Sequence, residues 1–514
     1  MLAEQQKQIE QLRRELAEQR TILQHATGST PQPDRAPSAF PVPASHASIG
    51  EVASTTPIVP SGRMPAGLPA AAPAPEVSVD LNSPLQLHVG GATIMPVGFV
   101  DLTNVWRSTN PGSGIGTNFG SIPYSTSVQG KIGEERMSLQ NSRIGARIDA
   151  SVKGAHVIGY WESDFLGAAP GNLTVSSNSD TFRLRLYWID VRKNAFEFLG
   201  GQSWSLLTPG RTGISPLPAD IFYTQDMDVN YQAGLVWTRQ PQFRMVYHPN
   251  SKIAAALSLE APNQYIGGSG GGGVVTLPSA LSTPYSTQFD SGNGGFAAPN
   301  AHPDIIAKVA FDPTKKLHFE VGGLLRSFRA YDPLSQQHFA KTGGGFQANL
   351  NFQLFKGLRV LTNNYWSDGG GRYIFGLAPD LVVRPDGGFS LVHSASTVSG
   401  FEYTHKNTLF YGYYGGVYIG RNAVLDTTGK LVGYGYSGSP NSQNRAIQEG
   451  SFGIVQTFWK DPRYGALSFI SQYSYLSRNP WYVATGTPES ARTNMVFLDL
   501  RYTLPGAPPA MVEK

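Results

Sequence analysis

The sequence predicts an all-β fold: a closed antiparallel barrel of 16 strands that crosses a membrane, preceded by a short coiled-coil helix and a disordered linker. Three observations favour this fold. Apolar and polar residues alternate with a period of two in many segments, the candidate strands are even in number, and tight turns alternate with long loops. Single-chain barrels of bacterial outer membranes combine these properties.

The alternation is clearest in residues 181–190, which read TFRLRLYWID. The period of two places Phe182, Leu184, Leu186 and Trp188 on one face and Arg183, Arg185 and Tyr187 on the other. Residues 143–150, 346–354 and 496–504 repeat this polarity of faces. A soluble β-sandwich also alternates, so the pattern alone does not identify what covers the apolar side.

Candidate strands are counted from the same pattern. They are residues 98–106, 141–151, 156–165, 181–191, 195–206, 233–248, 251–260, 304–311, 316–331, 345–355, 358–366, 397–405, 408–421, 450–460, 464–477 and 493–504. Pro241 interrupts one of them, and we interpret that segment as a single strand with a bulge, because proline is otherwise rare inside a sheet. The turns after alternate strands are tight and the remaining connections are mostly long, as between the two sides of an outer-membrane barrel.

Lipid is the simplest cover for the apolar face. The sequence has no amphipathic helices in this region to form a second layer, and a closed barrel satisfies every backbone polar group in hydrocarbon. We therefore expect the barrel in residues 85–504, with a tail at residues 505–514. Its interfacial aromatic residues are predicted to be Trp106, Trp161, Trp188, Trp237, Tyr411, Tyr413, Tyr418 and Tyr502.

The N-terminal region has a different composition. Residues 1–24 carry about three heptads, which indicate a self-associating coiled coil or an amphipathic helix on another surface. Residues 25–84 are rich in Pro, Ala and Ser, so we interpret them as a tether or a segment that binds a partner. The start, MLAEQQKQ, is not a secretory signal, and for an exported chain we expect that the signal was removed or that the start was assigned too late.

Bulk composition narrows the function. The formal net charge of +4 is small for 514 residues, which argues against nucleic acid as a partner. The sequence has no Cys, and its histidines lack metal-ligand spacing, so we expect neither a metal nor a cofactor.

Charged residues on the polar faces are predicted to line a wet lumen. The basic ones are Arg143, Arg147, Arg183, Arg185, Arg244, Lys308, Arg326 and Arg359, and the main acidic ones are Glu162, Asp164 and Glu197. Arginine ladders in narrow pores favour anions. The alternative is that these arginines only solvate the lumen and pair with the carboxylates.

The connection after the fifth candidate strand, residues 207–230, is stiff and apolar for a solvated loop. We predict that it folds into the lumen as a constriction, with an exposed surface loop as the alternative. Its charged residues are Arg211, Asp220, Asp226 and Asp228, and Arg211 opposite the carboxylates would create a transverse field.

Six segments together resemble the DcaP-like family of outer-membrane porins. They are GFVDLTNVWRST from Gly98, SRIGARIDA from Ser142, GYWESDF from Gly159, FRLRLYWID from Phe182, GQSWSLLTP from Gly201 and RQPQFRMVY from Arg239. The resemblance covers the chain from about Leu85 to its end. Two features depart from it: the chain continues past Tyr502 as TLPGAPPAMVEK, and Arg239 has the parity of the lipid face, which a bulge at Pro241 or a subunit interface would explain.

The resemblance implies a bacterial outer-membrane homotrimer of 16-stranded barrels with an inward third loop. It implies passage of small anionic solutes such as dicarboxylates, with Arg183, Arg185 and residues 202–209 near the constriction. Two other functions are weighed. A barrel enzyme is disfavoured because the G-x-S-x-G at Gly267 to Gly271 lies in a glycine run without a strand-turn-helix context. A structural barrel that links the membrane to the cell wall is compatible with a pore.

Overall fold

The computed structural model describes residues 85–167, 181–218, 221, 225–268, 271–292, 300–461 and 464–505. The predicted coiled coil, the predicted linker and the tail from residue 506 lie outside these residues. Within the described part of the chain, no helix is long and apolar enough to cross a membrane.

The described chain is almost entirely β-structure. Its strands are β1 (Leu87–Val89), β2 (Ala92–Arg107), β3 (Glu134–Ser138), β4 (Arg143–Val152), β5 (Ala155–Asp164), β6 (Arg183–Lys193), β7 (Phe196–Trp204), β8 (Arg239–Asn250), β9 (Ile253–Glu260), β10 (Asp304–Thr314), β11 (Leu317–Asp332), β12 (Gln337–Phe355), β13 (Leu358–Asp368), β14 (Leu381–Val383), β15 (Phe389–Leu391), β16 (His393–His405), β17 (Thr408–Ile419), β18 (Asn422–Leu425), β19 (Leu431–Tyr434), β20 (Asn444–Asp461), β21 (Gly465–Pro480) and β22 (Ala491–Thr503). A single-turn helix, α1 (Ser282–Ser286), and two 3₁₀ turns, Phe119–Ser121 and Gly371–Tyr373, lie in the loops.

Sixteen of these strands form one closed antiparallel barrel, which confirms the predicted fold class. The barrel strands are β2, β4 to β13, β16, β17 and β20 to β22, each paired with its neighbour along the chain. Strand β2 closes the barrel, because its first half pairs with β4 and its second half pairs with β22. The short strands β1 and β3 pair only with β2, and β14–β15 and β18–β19 are hairpins within loops.

Connections differ between the two ends of the barrel. At one end the turns are tight: Lys153 and Gly154 alone join β4 to β5, with φ angles of 50° and 77°. Positive φ at both positions is the geometry of a type I′ hairpin turn, whose twist matches that of the strands. At the other end most loops are long, and their side chains fill much of the barrel interior.

The two faces of the wall differ as the alternation predicts. Large apolar side chains point outward, including Ile144 at 47% exposed, Phe243 at 74% and Leu325 at 51%. The hydrophobic core lies inside the barrel, where wall residues such as Ile306 and Phe497 meet loop residues such as Trp237. An apolar outer belt on a closed barrel is the form in which strands cross a membrane.

Strand β6 departs from simple alternation. Its register with β5 shifts between Glu162 and Ser163, which leaves Arg185 as an extra residue in a bulge. Beyond the bulge the parity reverses: Leu186 and Trp188 are buried, while Tyr187 is 43% exposed. The prediction that Leu186 and Trp188 face lipid is therefore wrong, and Tyr187 takes the outer face.

Two further predictions are corrected. Strand β8 begins at Arg239, and its register with β7 continues through Pro241 without a bulge. Four of the predicted interfacial aromatics are buried inside the barrel, namely Trp188, Trp237, Tyr411 and Tyr413. Trp237 belongs to a loop, and the two tyrosines share the inner parity of β17, so neither group reaches the lipid face.

Candidate functional site inside the barrel

Arginines from three strands converge on two carboxylates at one side of the interior. We call this group the basic cluster: Arg143 on β4, Glu162 and Asp164 on β5, Arg183 and Arg185 on β6, and Arg239 on β8. The structure thus brings together five of the predicted pore residues. It adds Arg239, which the sequence marked only as an exception to the parity rule.

Asp164 is the centre of the basic cluster. Its two carboxylate oxygens accept hydrogen bonds from Nε and Nη2 of Arg183 at 3.0 and 2.9 Å, and Oδ2 also accepts one from Nη1 of Arg185 at 3.0 Å. Arg185 donates from Nε to Glu162 as well. The bulge makes this double contact possible, because Arg185 has no partner residue on β5 and its side chain reaches both carboxylates.

Trp204 of β7 carries two guanidinium groups over its ring. The centre of the Arg239 guanidinium lies 5.3 Å from the ring centroid, and that of Arg185 lies 5.9 Å away. Nη1 of Arg239, Nη2 of Arg185 and Nε1 of Trp204 are buried donors without an acceptor among the described residues. Buried donors without partners are costly, so this geometry favours an acceptor that arrives from outside the chain.

Charge does not balance within the basic cluster. Its four arginines face two carboxylates, which leaves a formal excess of two positive charges. Arg143 and Arg185 are 3% and 0% exposed, so water screens this charge weakly. The cluster is therefore suited to an anion with more than one negative charge.

The described residues of the segment 205–238, namely 205–218, 221 and 225–238, cross the barrel interior; we call them the lumen loop. It contacts opposite walls: the backbone N–H of Gly210 donates to Glu320 on β11, that of Met227 to Gln472 on β21, and that of Val236 to Asn363 on β13. It therefore lies inside the barrel rather than on its surface. Its action as a constriction stays a prediction.

Arg211 anchors the lumen loop to the wall. Its Nη1 and Nη2 donate to the two carboxylate oxygens of Glu402 on β16, each at 2.9 Å, and the Tyr413 hydroxyl donates to the same carboxylate at 2.7 Å. Among the described carboxylates, Glu402 is thus the partner of Arg211. The sequence predicted that Arg211 faces the carboxylates of its own loop. For Asp226 and Asp228 this prediction is wrong.

Those two carboxylates are bound elsewhere. Asp226 accepts a hydrogen bond from Gln472 at 2.9 Å, and Asp228 accepts one from the backbone N–H of Thr117 at 3.1 Å. Both side chains therefore fix the lumen loop to its surroundings. Asp220, the third predicted carboxylate, lies outside the described residues.

A small cavity lies between the lumen loop and the wall of β8, β10 and β11. Arg244, Lys308 and Glu320 supply its charged wall, and Trp204 also lines it, so the cavity adjoins the basic cluster. The Lys308 ammonium donates to the carbonyl oxygen of Thr208 at 2.7 Å and to Glu320 at 3.1 Å. Two predicted basic residues thus face the space beside the lumen loop.

The remaining predicted residues point inward but belong to other local groups. Arg147 pairs with Asp149, Arg326 with Asp304 and Asp380, Arg359 with Asn351, and Glu197 with Arg192 and His248. Arg326 also donates to the carbonyl oxygen of Gly369, which makes it an anchor for loops. That any of these residues lines a permeation path stays a prediction.

Sequence reasoning missed Glu402, and it included Trp204 only within residues 202–209, which the resemblance places near the constriction. Glu402 lies between outward Phe401 and Tyr403, so the alternation of residues 397–405 already contains its inward direction. Trp204 has no such signal, because its role depends on Arg185 and Arg239 from two other strands.

The glycine run that contains the G-x-S-x-G has a packing role. A Cβ atom at Gly271 would collide with the carbonyl oxygen of Gly376, and one at Gly272 with that of Leu377. Glycine is the residue that allows this approach of backbones. Ser269 lies outside the described residues.

No family model and no curated protein matches the sequence. Among solved structures, the outer-membrane channel DcaP of Acinetobacter baumannii superimposes with a TM-score of 0.58 at 16% identity, covering 81% of this chain and 98% of that one. An anion-selective porin from Comamonas acidovorans gives a TM-score of 0.46 at 11% identity over 80% and 99% of the two chains. The likeness to the DcaP channel shows that this chain has the barrel fold of an outer-membrane porin.

Proposed function

We propose that this protein is a passive diffusion channel of the bacterial outer membrane that prefers small anions, including dicarboxylates. The observation that carries the proposal is the basic cluster beside the lumen loop, with its excess of positive charge and its unfilled donors at Arg185, Arg239 and Trp204. We further propose that the chain forms a homotrimer through its barrel wall and the N-terminal coiled coil, surrounded by outer-membrane lipid.

Chemistry supports an anion as the solute. Guanidinium groups bind carboxylates through charged hydrogen bonds, and a solute with two carboxylates can engage two arginines at once. Arg185 and Arg239 flank one indole ring, and each keeps one unfilled N–H group among the described residues. A chloride ion or a monocarboxylate would fill fewer of these donors than a dicarboxylate.

Geometry supports a path beside the lumen loop. Trp204 contacts Arg185 and Arg239 of the basic cluster and also lines the cavity beside Arg244 and Lys308. A solute that leaves the cluster therefore meets two further cations. Successive weak sites of the same sign allow binding without trapping, as conduction requires.

The test is the reversal potential of the purified full-length protein in a planar bilayer across a potassium chloride gradient. We expect the sign that reports chloride permeation, and we expect added succinate to reduce the chloride current by competing for the basic cluster. A preference for potassium would contradict the anion channel. Absence of conductance from folded protein would favour a structural or enzymatic barrel.

A further inference from the structure

The tight turns at one end of the barrel carry many lysines. Six of these turns, between β4 and β17, consist of two residues, and each has an exposed lysine within it or directly before it. We call these residues the lysine collar: Lys153, Lys193, Lys252, Lys315, Lys316, Lys356 and Lys406. They are seven of the 14 lysines in the sequence, and none of the six turns contains Asp or Glu.

The positive charge of the collar is not matched by nearby carboxylates. Those of the adjoining strand ends are bonded to arginine or histidine: Asp149 to Arg147 and His156, Glu197 to Arg192 and His248, and Asp312 to His318. The long loops at the other end of the barrel mix exposed charges of both signs, as at Arg384 and Asp386. The collar is therefore a ring of positive charge at one rim only.

Backbone preference does not explain two of these lysines. Lys153 and Lys406 are the first residues of their turns and have φ angles of 50° and 53°. This left-handed conformation costs free energy for a residue with a Cβ atom, and Asn or Gly is favoured there. The first residue of the β6–β7 turn, with a φ of 53°, is indeed Asn194. Lysine at the other two positions thus keeps a positive charge at the expense of turn stability.

The collar lies at the depth of lipid headgroups. Outward aromatic side chains adjoin it: Phe355, 53% exposed, precedes Lys356 in the chain, and Phe196, 42% exposed, lies opposite Lys193 across the β6–β7 hairpin. Such aromatic side chains mark the interface of a membrane barrel. Because lysine has a long flexible stem, its ammonium group reaches from this depth to the phosphate groups of the lipids.

We propose that the lysine collar binds the phosphate groups of anionic phospholipids in the leaflet around the tight turns. The collar follows the rim through six hairpins, so a small solute or a compact protein domain would contact only part of it, whereas the surrounding lipid meets all of it. Short turns of outer-membrane barrels face the periplasm, so these lipids belong to the periplasmic leaflet. The inference rests on the membrane barrel and not on anion conduction.

The test uses the full-length protein in vesicles of phosphatidylcholine and phosphatidylglycerol. Electron paramagnetic resonance of spin-labelled lipids measures which of the two is immobilised by the barrel. We expect phosphatidylglycerol to be preferred by about fivefold at low salt, a factor that corresponds to about 1 kcal/mol, and the preference to fall as salt is added. No preference for phosphatidylglycerol would overturn the proposal.

Two triple variants with the same change of charge locate the binding. Replacing three collar lysines by Gln is expected to lower the preference at least twofold, and replacing three exposed lysines at the long-loop end should leave it unchanged. The substitutions are Lys153→Gln, Lys356→Gln and Lys406→Gln in the collar, and Lys131→Gln, Lys341→Gln and Lys430→Gln in the control. Equal effects would mean that net charge attracts the lipid and that the proposal is wrong.

A further variant separates lipid binding from damage to the fold. Lys153→Asn with Lys406→Asn places a favoured residue in each left-handed position, so we expect a higher unfolding temperature together with a weaker preference for phosphatidylglycerol. An unchanged preference would contradict the proposal. If the collar variants keep the lipid preference but shift the reversal potential, or lose binding to purified cell wall, the partner is a solute or the wall and the proposal is overturned.

Discussion

Arg239 shows how a single side chain adds a positive charge to the basic cluster in the barrel interior. It is the first residue of β8 and has outward parity, yet its guanidinium lies over Trp204 and joins the arginines of β6. Its position at the end of the strand explains this, because a terminal side chain can bend over the rim. The alternation of apolar and polar residues in the sequence cannot show such a bend of a side chain. Sequence analysis therefore treated Arg239 as an exception to the alternation and not as part of a site.

The first prediction concerns this residue. Arg239→Gln lowers the formal excess of the basic cluster from two positive charges to one, so we expect the reversal potential to move towards that of an unselective pore. Arg445→Gln is the matched control, because Arg445 is exposed near the start of β20 and is not part of the basic cluster. Equal shifts in both variants would mean that general surface charge, and not the cluster, sets selectivity.

At the scale of elements, alternation predicted the barrel strands and failed where backbone irregularity enters. The bulge at Arg185 adds one residue to β6, which exchanges the faces of Leu186, Tyr187 and Trp188. Nothing in TFRLRLYWID signals that insertion, because arginine suits either side of a bulge. The same bulge brings Arg185 to Glu162 and Asp164, so the local failure of the pattern lies at the candidate site.

The second prediction concerns the anchor of the lumen loop. Glu402→Gln leaves Arg211 as a buried cation with a weakened partner, a change that costs about 3–5 kcal/mol when a buried ion pair loses one member. We expect the lumen loop to detach locally and the single-channel current to become larger and noisier. Arg211→Gln with Glu402→Gln removes both charges, and we expect it to lose less stability than the sum of the single variants.

Single-channel records and thermal unfolding of all three variants measure this coupling. If Glu402→Gln conducts as quietly as the original chain, Arg211 is held by other contacts. Additive losses in the double variant would likewise contradict the role of the pair as an anchor.

The third prediction concerns the hydrogen bonds between Asp426 and Ser279, which join two long loops; we call this contact the latch. Asp426, at the tip of the β18–β19 hairpin, accepts hydrogen bonds from the hydroxyl and the backbone N–H of Ser279, at 2.8 and 3.1 Å. The Ser279 hydroxyl is the main cause that holds the pKa of Asp426 below its usual value, with the N–H groups of Ser279 and Thr427 also contributing. An unfolded Asp has a pKa of about 3.9.

Because the folded pKa is the lower one, the latch contributes its full stability above the unfolded pKa and loses it as the pH falls through the folded value. We expect a spin label at Lys430→Cys, an exposed position in a chain without native Cys, to gain mobility only at strongly acidic pH. Adding Asp426→Asn should make the label mobile at neutral pH. Acid mobilisation that persists unchanged in the Asn variant would exclude Asp426 as its cause.

At the scale of the whole molecule, the barrel interior behaves as a core towards the long-loop end. Trp237 of the lumen loop packs between Trp204 of the wall and Phe375 of another loop, with ring centroids 5.1 and 4.7 Å apart. The alternation predicted polar inner faces and a wet lumen. It could not predict this packing, because loop composition does not reveal which loops fold inward and meet.

The last prediction follows from that packing. Gly271 and Gly272 of the glycine run lie between three other loops: the Tyr434 hydroxyl donates to the carbonyl oxygen of Gly272, and the Asn444 amide donates to that of nearby Gly120. A side chain at Gly272 would collide with the carbonyl oxygen of Leu377 and would lie 2.7 Å from Cδ1 of Ile419. Gly272→Val must therefore push the loops apart, and overpacking of this kind costs about 1–3 kcal/mol.

We expect Gly272→Val to keep the barrel, whose strand pairing it does not touch, and to widen the path through the loops. The measurement is single-channel conductance together with the exclusion limit for neutral polymers, both of which should rise. Gly91→Val is the control, because a Cβ there meets nothing within 4 Å. If conductance stays the same or falls while the barrel remains folded, the packed loops do not limit the flow.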